Sequence, residues 1–145
     1  MPDLVAGLVA VSGGFDPLHV GHLALIREAK KLGDRLLVIV NNDAWLKRKK
    51  GRAFIPEWER VALVSAVRWV DAAVLQASPT DDSVSEDLVL WRPAIFANGG
   101  DRTAETSIRE AETCRRLGIR MVFGVGGDKT RSSSELLTAW THANA

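Results

Sequence analysis

The sequence predicts an α/β fold, a doubly wound five-stranded parallel sheet with helices on both faces. Three observations predict it. Short β-branched runs alternate with longer segments of helical period. Most of those runs are nearly continuous Val, Ile, Leu and Ala, as strands covered on both faces require. The length, 145 residues, suits one core and one domain, 1–145, without a disulfide or metal staple.

Leu4–Val11 reads as the first strand, running into the glycine turn Ser12-Gly13-Gly14. His19–Leu32 follows as a helix, because Leu23, Ile26, Ala29 and Lys30 step at three or four and Gly33 stands where a C-cap belongs. Arg35–Val40 is the second strand, and the basic stretch Lys47–Arg52 reads as the loop after it. Pro56–Trp69 is a helix opened by a proline whose missing N–H costs nothing there. Ala72–Leu75 and Ala94–Ala97 are strands flanking a helix at Val84–Trp91. Thr103–Leu117 is a helix closed by Gly118, and Arg120–Phe123 is the last strand. Ser132, with Glu135 three residues on, makes a capping box for a final helix at Ser133–Thr141. Right-handed crossovers joining five such strands give a Rossmann-like sheet, with ligands expected beyond the C-terminal strand ends.

Composition removes several function classes. Hydrophobic residues are 46% and charged residues 26%, which argues against disorder. Lys plus Arg exceed Asp plus Glu by 19 to 18, a net charge of +1 that gives no support to nucleic-acid binding. No apolar run is long enough to span a bilayer, and the opening residues read as a strand rather than a signal peptide. The lone Cys114 excludes an intramolecular disulfide and a Cys-rich metal site, so a cytoplasmic location is expected. Neither GxGxxG nor GxSxG occurs, which weakens the hydride-transfer and serine-hydrolase readings.

The chemistry concentrates in the segments after the strands. Gly13-Gly14-Phe15-Asp16-Pro17-Leu18-His19-Val20-Gly21-His22 puts two histidines one turn apart at a helix start. The glycines let backbone N–H groups approach a ligand, and the helix N-terminus attracts phosphate. The cations Lys47-Arg48-Lys49-Lys50 fall on the same sheet edge, where they would meet a polyphosphate. Asn98-Gly99-Gly100-Asp101 lets the chain pass close to a base or ribose, and Asp101 can accept from hydroxyls or help hold a metal. Hydroxyls and N–H groups at Ser132-Ser133 suit β- and γ-phosphates. Arg60 reads equally as an acceptor contact or a helix-face ion-pair partner, and Asp71 as a polar contact or a cap.

The decapeptide GGFDPLHVGH resembles the HxGH signature of the nucleotidylyltransferase superfamily, the cytidylyltransferase-like fold. IREAKKLGDRLLVIVNNDAWLKRKKGR, IPEWERVALVSAVRWVDAAV, ANGGDR and SSSEL resemble the family's later motifs in order. The resemblance implies transfer of a nucleotidyl group from CTP or ATP to a phosphorylated small molecule, with release of pyrophosphate and with Mg²⁺ on the triphosphate. It implies His19, His22 and Lys50 as catalytic residues. It places the nucleotide at Gly13, Gly14, Phe15, Asp16, Gly21, Gly99, Asp101, Ser132 and Ser133, and the acceptor at Lys47, Arg60 and Asp71. Asp16 or Asp101 would hold the metal.

Glycerol-phosphate cytidylyltransferases carry an Arg-Thr pair several residues before the serines, where this chain has Gly127-Asp128. Lys129 or Arg131 is therefore expected to take the cationic role at the nucleotide. The motif order is closest to the glycerol-3-phosphate cytidylyltransferase and heptose-1-phosphate adenylyltransferase types, with nicotinate-mononucleotide adenylyltransferases third. CTP is slightly favoured. A non-catalytic nucleotide-binding domain is the alternative of another class. Relatives are generally homodimers, and five tryptophans suggest a subunit contact at Trp45 or Trp69.

Overall fold

A computed structural model describes residues 7–100, 102, 107–127 and 132–143. In chain order the elements are β1 (Leu8–Gly13), α1 (Val20–Lys30), β2 (Arg35–Val40), α2 (Asp43–Lys50), α3 (Glu57–Ser65) and β3 (Ala72–Leu75). They continue as α4 (Ser85–Trp91), β4 (Ile95–Gly99), α5 (Ile108–Leu117), β5 (Arg120–Val125) and α6 (Ser133–Ala143). The five strands pair in parallel in the order β3-β2-β1-β4-β5. The chain thus leaves β1 to one side and returns to its other side at β4. That reversal makes the β1/β4 junction the switch point, where such sheets open a crevice at the C-terminal ends of their strands.

Each strand feeds both layers of core because successive side chains alternate faces. Val9 and Val11 of β1, with Leu36, Val38 and Val40 of β2, pack against Ile26 and Ala29 of α1 and Val64 of α3. Ala10, Leu37, Ile39 and Phe96 face the other way, onto Val84, Leu88 and Cys114. Cys114 is 1% exposed, and burial, helped by Glu110, pushes its thiol up to about 11. It is an inert packing residue in this fold.

The expected sheet is the observed one, with three local corrections. The basic stretch is not a loop but the last turn of α2. Asn42 Oδ1 caps that helix by accepting from Trp45 N at 2.9 Å, Gly51 closes it at φ 89°, and the cations complement the negative end of its dipole. The second helix ends early, at Ser65 rather than Trp69. Gly33 does not cap α1, whose C-cap is Lys31. Gly33 is needed for close approach, since a Cβ there would come within 2.4 Å of the Gly7 carbonyl oxygen. Gly118, by contrast, is the left-handed C-cap that the sequence predicts. Glu135 N donates to Ser132 Oγ at 3.0 Å, the first half of the expected capping box.

Asp87 on α4 sets a pH dependence. One of its carboxylate oxygens accepts from Ala77 N at 3.1 Å, and the other is buried without a partner. Desolvation raises its pKa from 3.8 to about 6. A folded-state pKa above the unfolded one means a contribution that is full in acid and lost as pH rises through about 6. Asp87 is expected to contribute on the order of 1 kcal/mol more stability at pH 5 than at pH 8. Asp71, Glu28 and Asp82 have lowered pKa values and stay ionised across that window, so they do not oppose the trend. Thermal melts at the two pH values check this, and Asp87→Asn should flatten the difference. A difference unchanged by that substitution would refute the assignment.

Candidate active site

At the switch point lies a cleft of about 530 Å³. The β1–α1 turn lines it, with Gly99 and Gly100 after β4, Gly126, Ser132 and Ser133 after β5, and Trp45 and Lys50 from α2.

The two histidines are fixed by the helix they begin. His19 is the N-cap of α1, extended at φ −145°, and its Nδ1 accepts from Gly21 N at 3.1 Å. His22 Nδ1 accepts from His19 N at 3.1 Å, completing a reciprocal capping box built from two imidazoles. A neutral imidazole that accepts at Nδ1 carries its proton on Nε2. Both rings therefore hold their proton on Nε2, as donors suited to phosphate. The rings stack at 3.7 Å with 25° between planes, and the edge contact with Phe15, 4.8 Å at 65°, braces His22 from below. The pair thus shares one face of α1, as the three-residue spacing predicts.

Beneath this turn is a buried clamp. Arg60, fully buried on α3, donates from Nη1 to the carbonyls of Gly14 at 2.9 Å and Asn41 at 2.6 Å, and from Nε to that of Ile55 at 2.8 Å. Its Nη2 pairs with Asp43 at 2.7 Å. Asp16, 2% exposed, accepts from Phe54 N and Ile55 N, both at 2.7 Å. Together they bind the histidine turn, the end of β2, the start of α2 and the segment before α3 into one unit. A charged group this deeply placed is tolerated because nearly every donor and acceptor is matched.

This geometry moves several expected contacts. Arg60 is a brace and not an acceptor ligand, since its donors are spent on the backbone and Asp43. Asp16 is likewise unsuited to a metal, because both its oxygens hold backbone N–H groups. Phe15 lines the cleft, while its ring is buried under Gly13, where an added Cβ would stand 3.0 Å from it, and packs edge-on to His22. Asp71 lies at the opposite sheet edge, where it accepts from Leu36 N at 2.7 Å and Lys30 Nζ at 2.6 Å. Partial burial pushes its pKa up, but those two donors outweigh it and hold the carboxyl below its ordinary value.

Gly13, Gly14, Gly21, Gly99, Lys50, Ser132 and Ser133 do line the cleft, whereas Lys47 is exposed and outside its lining. Ser133 Oγ donates to the Pro17 carbonyl at 2.8 Å and so ties α6 onto the histidine turn. Asp101, Lys129 and Arg131 lie outside the described residues. Trp45, Arg102 and Gly126 also line the cleft, and sequence reasoning passed over them. Gly126 was readable as a double-glycine turn; at φ 88°, with Leu25 N 2.9 Å from where a Cβ would stand, only glycine fits. Trp45 lines the cleft and donates from Nε1 to the Asp82 carbonyl at 2.8 Å. Trp69 packs against the core, and the more exposed tryptophans are Trp58 and Trp140.

Among the described residues no group of three or more His, Cys, Asp or Glu is placed to hold a metal ion. No helix among them is long and apolar enough to cross a membrane.

Residues 10–137 match the family described as cytidylyltransferase-like. The FAD synthase of Pyrococcus abyssi is 37% identical over 114 residues, 78% of this chain and 75% of that protein. The bifunctional protein HldE of Syntrophotalea carbinolica is 38% identical over 103 residues; these are 70% of this chain but only 20% of that longer relative. Among solved structures, a lipopolysaccharide core biosynthesis protein from Thermoplasma volcanium superposes with a TM-score of 0.68 at 30% identity. That match covers 81% of this chain and 93% of the other. The chain belongs to the cytidylyltransferase-like family and is a nucleotidyltransferase, the class that its HxGH turn resembles.

Proposed function

We propose that this nucleotidyltransferase moves AMP from ATP to the phosphate of a small phosphorylated acceptor and releases pyrophosphate. The observation that carries this reading is the stacked histidine pair, with both protons on Nε2, in a cleft lined by glycines and by Lys50. ATP replaces the slight preference for CTP because a close relative is named for making FAD, whose nucleotide half is an adenylyl group.

An acceptor phosphate oxygen attacks the α-phosphorus in line. The new P–O bond forms as the bond from the α-phosphorus to the oxygen bridging it to the β-phosphorus breaks, and pyrophosphate leaves with that electron pair. A phosphate monoester, with a second pKa around 6, is already an anionic nucleophile at neutral pH. No general base is needed. His19 and His22 donate from Nε2 to the non-bridging oxygens of the α-phosphate, and Lys50 neutralises charge on the leaving group. Ser132, Ser133 and the N-terminus of α6 face the distal phosphates. Mg²⁺, brought by the triphosphate, supplies further charge neutralisation there.

A matrix of four nucleoside triphosphates against phosphomonoesters, scored by pyrophosphate release, tests the reading. ATP is expected to give the strongest signal in an acceptor-dependent way. Release with CTP alone would restore the cytidylyl alternative. Tight ATP binding without release from any pair would favour a nucleotide-binding domain without turnover.

A further inference from the structure

Lys50 lines the main cleft from the last turn of α2, so its placement depends on how that helix is held. We propose that Gln76, just after β3, is a positioning residue that fixes α2 and so aims Lys50 at the leaving pyrophosphate. The inference rests on the adenylyl-transfer reading and deepens its account of Lys50.

Gln76 is 2% exposed, and its side-chain amide is matched on both sides. Oε1 accepts from Asn42 N at 3.1 Å and from Asn41 Nδ2 at 3.4 Å, where β2 gives way to α2. Nε2 donates to the carbonyls of Asp81 at 3.1 Å and Ser83 at 3.2 Å. The Gln76 backbone N–H continues the sheet pairing, on the Val40 carbonyl at 2.8 Å. Asn42, the N-cap of α2, returns the contact. Its Nδ2 donates to the carbonyls of Gln76 at 3.3 Å and Ser78 at 2.8 Å, while Oδ1 caps the helix. A buried glutamine is tolerated only when its donors and acceptors are met, and methionine would fill the space without that requirement. What the amide adds is direction.

The β3–α4 segment also grips α2 further along. Trp45 Nε1 donates to the Asp82 carbonyl, Arg48 Nη1 to that of Pro79 at 2.6 Å, and Arg48 Nε to Asp82 Oδ1 at 2.9 Å. These contacts divide the run of four cations. Arg48 and Lys49 pair with Asp82, whereas Lys50 has no carboxylate partner among the described residues and lines the cleft. Trp45 lines the main cleft and a smaller one of about 310 Å³ that Asp82 and Ser107 also line, so a shift of α2 would reshape both.

Asn42 and Lys50 stand at opposite ends of α2, about 12 Å apart along its axis, so a tilt of about 5° at the cap moves the far end by about 1 Å. A displacement of that size removes much of what a charge-stabilising group contributes. Leu46, fully buried, keeps the helix on the core, so loss of the amide should tilt α2 rather than free it.

The test is a double-mutant cycle in the full chain, combining Gln76→Met with Lys50→Ala. It is read in kcat/KM for pyrophosphate release, with the nucleotide and phosphomonoester most active in the release matrix. It is read again in the calorimetric Kd of magnesium pyrophosphate. Gln76→Met alone is expected to lower kcat/KM roughly tenfold and to weaken pyrophosphate binding roughly fivefold. In the Lys50→Ala background the same substitution should change either quantity less than about twofold, because the group it positions is gone. A smaller folded fraction would instead scale kcat/KM alike in both backgrounds and lower the binding stoichiometry, not the affinity. Arg48→Gln, an exposed change that cuts the outer grip, should give a smaller loss with the same coupling, and its cycle decides if Gln76→Met does not fold. Equal losses in the two backgrounds, or no loss from Gln76→Met in a folded protein, would overturn the proposal and leave adenylyl transfer intact. Lys50→Ala matching the wild type in both readouts would overturn it too, since nothing would be left to position. Coupling in the pyrophosphate cycle, without acceptor-dependent release from any nucleotide, would sink the transfer reading and leave the role of Gln76 standing.

Discussion

Replacing His22 by alanine is expected to lower kcat by on the order of 10²–10³ while the protein stays folded. The rate loss is that of one preorganised donor aimed at charge developing in the transition state. The stability loss is separate and smaller. His22 Nδ1 caps the His19 N–H, so its removal leaves one helix-end donor to water and costs about 1 kcal/mol. His22 also stacks on His19, so its loss removes that ring contact, while Gly21 N still holds His19 Nδ1 in place. Steady-state pyrophosphate release and a thermal melt separate the two effects. A variant with near wild-type turnover would remove His22 from the chemistry.

Arg60→Met should have the largest effect on stability, about 3–5 kcal/mol, from the loss of three carbonyl hydrogen bonds to a charged donor at roughly 1–2 kcal/mol each. Methionine follows the path of the stem but leaves the carbonyls of Gly14, Asn41 and Ile55 without this donor, that of Asn41 buried. Lysine should not rescue it, because a single ammonium cannot span acceptors arranged around a planar guanidinium. Asp43, whose side chain is 44% exposed, will rehydrate and contributes little of the loss. Urea denaturation measures the change. A midpoint within the equivalent of about 1 kcal/mol of wild type would mean that the clamp is dispensable.

The sheet was legible because its strands are buried on both faces and therefore leave unbroken apolar runs. Arg35–Val40 and Ala72–Leu75 end where those runs end. Helix α2 was hidden by its shortness and by four consecutive cations, although Asn42 and Gly51 signalled both of its ends. The histidine pair could be read because its geometry is local: three residues on one helix turn determine the stacking. Arg60 could not be placed the same way. Its helix position is set by α3, but its purpose is set by Gly14, 46 residues away, and by Asn41, 19 residues away. Asp71 was misplaced for a related reason, since the sequence locates it before a strand without saying that this is the sheet edge opposite the histidines. Ser107 and Trp45 line one cleft although they are far apart in sequence, and nothing in either segment alone announces it.

Adenylyl transfer at the histidine turn is tested most directly by following ATP together with the phosphomonoester most active in the release matrix by ³¹P NMR. The expected result is pyrophosphate and a new phosphoanhydride-linked pair of phosphorus signals appearing in equal amounts, with no inorganic phosphate, and with both slowed on the order of 10²–10³ in His22→Ala. Appearance of ADP and inorganic phosphate, or equal rates in the wild type and His22→Ala, would place the chemistry at a different phosphorus or a different site and contradict the account.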